Sequence, residues 1–178
     1  MQVYVIRHGE TNVNLENRIN SLNEDDLNET GIMQAKQVGI KLEEIDYDFI
    51  ISSPLIRTKH TAELLNVKNK KISFDNRLIE RDAGVFTKQS LNNIDSDDWW
   101  NLNPKKDYQD AETVKDVLDR IYDFLNELKK QYKNKTIVLV THGGVSKAIS
   151  CYFNGIPEDG NLEKYKHNNC EVHKFELL

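Results

Sequence analysis

The chain has 178 residues, a formal net charge of −5 and 30% charged residues. That is room for one domain with a real core and too little for two full ones. Lys and Arg alternate with acids, which excludes a basic nucleic-acid-binding stripe, and no run approaches the roughly 18 apolar residues of a membrane span.

Cys151 and Cys170 are too few and too isolated for a disulfide framework or a metal knuckle. Together with Arg7 and His8, which interrupt any secretory apolar region, they point to a reducing, cytoplasmic setting.

In chain order, "QVYVI" (2–6) is a short β-branched run ending near Gly9 and reads as a buried strand. From Thr30, a plausible N-cap, Ile32, Ala35, Val38, Leu42 and Ile45 fall along one helical face. "YDFIISS" (47–53) reads as a second buried strand, followed by a helix with Ser53 as N-cap and Pro54 in its first turn. "KISFDNRLIERDAG" holds a short strand and a loop, and residues 86–110 are irregular and polar around Trp99 and Trp100.

From Thr113, residues Val114, Val117, Leu118, Ile121, Leu125 and Leu128 define a helix. "KTIVLVTHGG" (135–144) is another strand, "GVSKAISCYF" the helix after it, and "CEVHKFEL" (170–177) a final strand. Strands alternating with helices predict an α/β layer built on a largely parallel sheet. Neither a repeat nor a linker divides the chain, so residues 1–178 read as one domain, with 86–110 as a cover over the sheet edge.

Ligands gather at the carboxyl ends of strands in such sheets. Three strand ends carry unusual chemistry: Arg7-His8-Gly9, Ser52-Ser53-Pro54 leading to Arg57, and Thr141-His142-Gly143-Gly144. If the first and third strands are neighbours, both imidazoles face one crevice. Two imidazoles and two guanidinium groups repel one another unless an anion joins them. Arg suits a phosphate because its planar fork donates two parallel hydrogen bonds, and glycine after each histidine lets backbone N–H groups approach the same anion.

In this order "RHGET", "NETGIMQA", "SSPLIRT" and "VTHGG" resemble the histidine phosphatase superfamily, the phosphoglycerate-mutase-like proteins, over residues 3 to about 148. The resemblance implies a three-layer α/β/α sandwich with a mostly parallel central sheet, and neither a metal nor an organic cofactor. It makes His8 the nucleophile that becomes phosphohistidine and places Arg7, Arg57 and a protonated His142 around the phosphate. Gly143 offers a backbone donor, and Asn14 stands where the family has a further polar contact. Glu80, four residues before Gly84, resembles the family's acid/base glutamate, with Glu112 and Asp82 as nearby alternatives; such a group needs its pKa raised toward working pH.

The chain also departs from the family. "GVFTKQS" has neither the Trp nor the second Gly usual after the glutamate, "DAETV" keeps only the acid of Gly-Glu-Ser, and "INSLNEDDL" follows Arg18 where a glycine is usual.

Two further readings bear on substrate. Arg81 either contacts substrate or lies on the surface, and Trp99 and Trp100 either cap the pocket or hold a loop down. The function implied is a phosphomonoester hydrolase acting on a small phosphorylated metabolite such as a sugar phosphate or an α-ribazole-phosphate-like compound. The alternatives are a cofactor-dependent phosphoglycerate mutase and an inactive phospho-ligand-binding relative. Mutases of this type carry Trp-Asn after RHGE and an insertion over the site, where this chain has "TNVNLENRINSLNE".

Overall fold

A computed structural model describes residues 1–176. In chain order the elements are β1 (Gln2–Arg7), α1 (Asn12–Leu15), α2 (Glu29–Leu42), β2 (Phe49–Ser52), α3 (Ile56–Leu65) and β3 (Ile72–Phe74). These are followed by α4 (Ser96–Trp99), α5 (Val114–Gln131), β4 (Thr136–Thr141), α6 (Gly143–Asn154) and β5 (Val172–Glu176), with short 3-10 turns between. The expected last strand thus forms, although its final residue, Leu177, lies outside the described residues.

The strands make one five-stranded sheet in the order β3-β2-β4-β1-β5. All pairings are parallel except β1 with β5. Alternate residues of each strand feed opposite faces. Val3, Val5, Ile137 and Leu139 join the apolar stripes of α5 and α6 on one side. Ile6, Ile50, Val138 and Val140 join Val38, Leu42, Ala62 and Leu65 of α2 and α3 on the other. This is the three-layer sandwich the sequence implies. Seven residues of α5 are buried, each contributing about 1.5–3 kcal/mol over an exposed position.

Two helix starts differ from expectation. The N-cap of α2 is Asn28, not Thr30, because the Asn28 side chain accepts from Gly31 N. α3 begins only at Ile56, without a side-chain cap. The Ser53 hydroxyl that was expected to start it is instead engaged at 2.8 Å by His142 Nε2. The Thr113 cap of α5 forms as expected.

β1 and β4 are direct neighbours, with Arg7 opposite Thr141. Their loops therefore leave the sheet side by side, and His8 N donates to Thr141 O. A glycine contact fixes the first loop from behind: a Cβ on Gly9 would strike the Gly31 carbonyl, and one on Gly31 would strike the Glu10 carbonyl. Gln34 Oε1 accepts from Glu10 N at 2.9 Å, and Asn28 Nδ2 donates to Glu10 Oε1. The "NETGIMQ" segment is thus a brace for the loop that carries His8.

Candidate active site

A cavity of about 320 Å³ opens at these strand ends, at the small end of the range for small-molecule sites. Arg7, His8, Asn14, Glu80 and Gly143 line it. Arg57 and His142 do not; both are fully buried just beneath that lining.

His8 Nδ1 lies 2.7 Å from Gly9 O. A carbonyl only accepts, so Nδ1 carries the proton and Nε2 keeps its lone pair. Burial, then the charges of Arg57 and Arg7, hold the His8 pKa well below the ordinary 6.5. The ring is therefore neutral and nucleophilic at neutral pH. His142 is pushed the same way by burial and by Arg57, His8 and Arg7. The expected imidazolium at His142 is thus not favoured by the protein's own field; a phosphate dianion would supply the countercharge that raises it.

Arg7 Nη1 donates to His167 O at 2.8 Å. Arg57 Nη1 and Nη2 donate to Asn23 O and Ser21 O, each at 2.7 Å. Burial, the largest influence, lowers the Arg57 pKa to about 10. Three buried nitrogens near His8 have no hydrogen-bond partner among the described residues: Arg7 Nε, Arg57 Nε and His142 Nδ1. Buried polar atoms are ordinarily partnered, and one phosphoryl group offers enough lone pairs for all three.

Asn14 Oδ1 accepts from Thr11 and from Asn169 Nδ2, which leaves its amide N–H groups available to the cavity. Of the candidate carboxylates, Glu80 is the one in the cavity. Its Oε1 accepts from Arg81 N and its Oε2 from Gly144 N. Glu112 is paired with Arg120, and Asp82 turns back to Gly84 N. Gly144 has no room for a side chain, because a Cβ there would strike Trp100 and sit 2.5 Å from Glu80 Oε1.

Ser21 stands in the segment where the family has glycine and takes φ +53°, a region that L-residues other than Asn and Asp rarely enter. Its Oγ accepts from Ala83 N at 2.8 Å. Ser21 therefore ties the Arg57 side of the site to the Glu80 segment. Trp99 packs against Phe86 and Tyr108, and both Trp99 and Trp100 reach the cavity wall.

Sequence reasoning missed Lys147 and Glu163, both in the lining. The signal for Lys147 was a lone cation in the apolar run "GVSKAIS". His167 also faces the cavity, hydrogen-bonded through Nε2 to Ser150. Among the described residues no group of three or more His, Cys, Asp or Glu could hold a metal ion, and no helix is long and apolar enough to cross a membrane.

A neutral histidine in a cationic cradle, at the carboxyl edge of a three-layer α/β/α sheet, is the arrangement of a phosphoryl-transfer enzyme. Over residues 3–177 the chain matches the model of the histidine phosphatase superfamily, branch 1, and it belongs to that family. It is 29% identical over 185 residues to phosphoserine phosphatase 1 of Hydrogenobacter thermophilus, spanning 100% of this chain and 86% of that one. It is 30% identical over 183 residues to the probable phosphoglycerate mutase GpmB of Salmonella choleraesuis, spanning 99% and 85%. A mutant phosphoserine phosphatase of Entamoeba histolytica in complex with phosphoserine superposes with TM-score 0.84 at 25% identity, covering 98% of this chain and 90% of that one. The chain is an enzyme of histidine phosphatase type.

Proposed function

We propose that this chain hydrolyses a small phosphomonoester in two steps through a phosphohistidine on His8. One observation carries the reading: the Gly9 carbonyl holds the His8 Nδ1 proton, leaving a neutral Nε2 as the attacking atom. In the first step Nε2 bonds to phosphorus and the bond to the alcohol oxygen breaks. A protonated Glu80 gives its proton to that departing oxygen. In the second step water attacks phosphorus, the P–N bond breaks, and Glu80 takes the water proton as inorganic phosphate leaves.

Arg7 and the N–H of Gly143 at the start of α6 hold the phosphoryl oxygens from the lining, with Asn14 adding an amide donor. Arg57 and His142 act from beneath it. Residues 86–110 serve as the cover, supported by the positions of Leu91, Asn92, Ser96, Trp99 and Trp100 in the cavity wall. Relatives named for phosphoserine and phosphoglycerate fit a small phosphorylated metabolite as substrate. Two unpaired cysteines fit a cytoplasmic address.

The test is phosphate release from 4-nitrophenyl phosphate without added metal, with trapping of the acid-labile phosphoenzyme. His8→Ala is expected to reduce turnover to background and to abolish labelling. Labelling that persists in this variant moves the nucleophile elsewhere. Interconversion of phosphoglycerates faster than phosphate release replaces hydrolysis by the mutase reading.

A further inference from the structure

Lys147 is out of character with its helix. Val145, Ser146, Ala148 and Ile149 around it are buried, and Lys147 itself is only 6% exposed. Its ammonium stands 4.6 Å from the centre of the Trp100 ring and 3.2 Å from Glu163 Oε2. Burial lowers its pKa, an effect that Glu163 opposes. A lysine offers three donors, and Glu163 Oε2 takes one. Glu163 Oε1 has no hydrogen-bond partner among the described residues. Both charges line the cavity with hydrogen-bonding capacity left over.

Their place relative to the chemistry follows from α6. Glu80 and Trp100 converge on Gly144, and Lys147 lies three residues further along the same helix, hence on the same face. A phosphomonoester bound at Arg7 and His8, with its bridging oxygen toward Glu80, runs its alcohol part along Trp100 to Lys147 and Glu163. The other cations nearby are committed or exposed. Arg81 donates to the carbonyls of Glu112 and Trp99 and stacks on both indoles. Arg18 donates to Lys88 O and Glu16. Lys166 is exposed.

We propose that Lys147 and Glu163 form a dipolar subsite that reads a leaving group bearing both a carboxylate and an ammonium, so the preferred substrate is an O-phosphorylated amino acid. The inference rests on the phosphohydrolase reading above. The substrate carboxylate faces Lys147 and its ammonium faces Glu163, giving four alternating charges. A leaving group with a carboxylate alone draws Lys147 away and leaves the half-buried Glu163 facing an anion. One with an ammonium alone does the converse, and a neutral one leaves the pair closed and gains nothing. Selectivity therefore comes from what the pair rejects as much as from what it binds.

The experiment compares kcat/KM of the wild-type protein on O-phosphoserine, 3-phosphoglycerate, phosphoethanolamine and glycerol phosphate, which carry both charges, carboxylate alone, ammonium alone and neither. O-phosphoserine is expected to exceed each of the others by about ten-fold or more, the scale of one charge-assisted hydrogen bond. Within each variant's own rates, Glu163→Gln lowers the phosphoserine to phosphoglycerate ratio about ten-fold, and Lys147→Met lowers the phosphoserine to phosphoethanolamine ratio similarly. Phosphoserine no better than phosphoglycerate or phosphoethanolamine in the wild type overturns the inference, even if a variant fails to fold. Ratios unmoved in both variants assign the pair a purely structural role. Failure to hydrolyse 4-nitrophenyl phosphate defeats the phosphohydrolase reading itself, whereas turnover of it without selectivity defeats only this one.

Discussion

The rings of His8 and His142 meet edge to face, with centroids 5.3 Å apart and planes at 61°. Two buried imidazoles this close, with Arg7 and Arg57 beside them, cannot both carry charge cheaply in the protein's own field. The arrangement keeps the His8 ring neutral and makes protonation of His142 dependent on an incoming anion.

Stability should therefore fall on the acid side. His8 and His142 have pKa values held well below 6.5 by burial, and burial brings His167 to about 4. In the unfolded chain all three titrate near 6.5. Below that pH the unfolded state binds protons that the folded state does not, so stability is full above 6.5 and is lost as pH falls toward the folded values. Each histidine contributes a slope of about 1.4 kcal/mol per pH unit. Urea unfolding between pH 7.5 and 5 is expected to show a steep loss, made shallower by His167→Asn. A flat profile contradicts the buried neutral histidines.

Two glycines should respond differently to alanine. At Gly31 the new methyl meets the backbone of Glu10, which cannot step aside. Gly31→Ala is expected to destabilise the protein by about 1–3 kcal/mol, as overfilling a tight contact does. At Gly144 the methyl meets the side chains of Trp100 and Glu80. Gly144→Ala is expected to keep the melting temperature within a few degrees while lowering kcat by about ten-fold or more as Glu80 is displaced. Equal melting losses in the two variants would sink this distinction.

Ser21 combines a left-handed backbone with a buried hydrogen bond to Ala83 N. Ser21→Gly relieves about 1–2 kcal/mol of backbone strain and strands the Ala83 amide at about 1–3 kcal/mol, so the two effects largely offset. Ser21→Ala keeps the strain and loses the bond, costing about 1–3 kcal/mol through the stranded amide. Thermal melts of the two variants separate these outcomes; a Ser21→Gly variant less stable than Ser21→Ala contradicts the assignment.

Much of this was legible beforehand because it is local. A strand that ends in Arg7-His8-Gly9 announces itself through β-branched residues followed by chemistry, and "VTHGG" repeats the pattern. The α5 stripe and its Thr113 cap follow from 3.6-residue spacing. Where expectation and structure parted, a side chain had a stronger partner elsewhere. Ser53 bonds to His142 instead of capping α3, and Asn28 rather than Thr30 takes the first N–H groups of α2.

By itself the sequence determined the class of chemistry, since the histidines, arginines and glycines sit within short motifs whose meaning survives without coordinates. Only the tertiary structure decided which carboxylate faces the cavity, that Arg57 and His142 lie buried outside its lining, that Ser21 bridges to Ala83, and that Lys147 meets Glu163. Each of these joins segments distant along the chain. Their meeting depends on how helices and loops stack on the sheet, a long-range outcome that no local periodicity encodes.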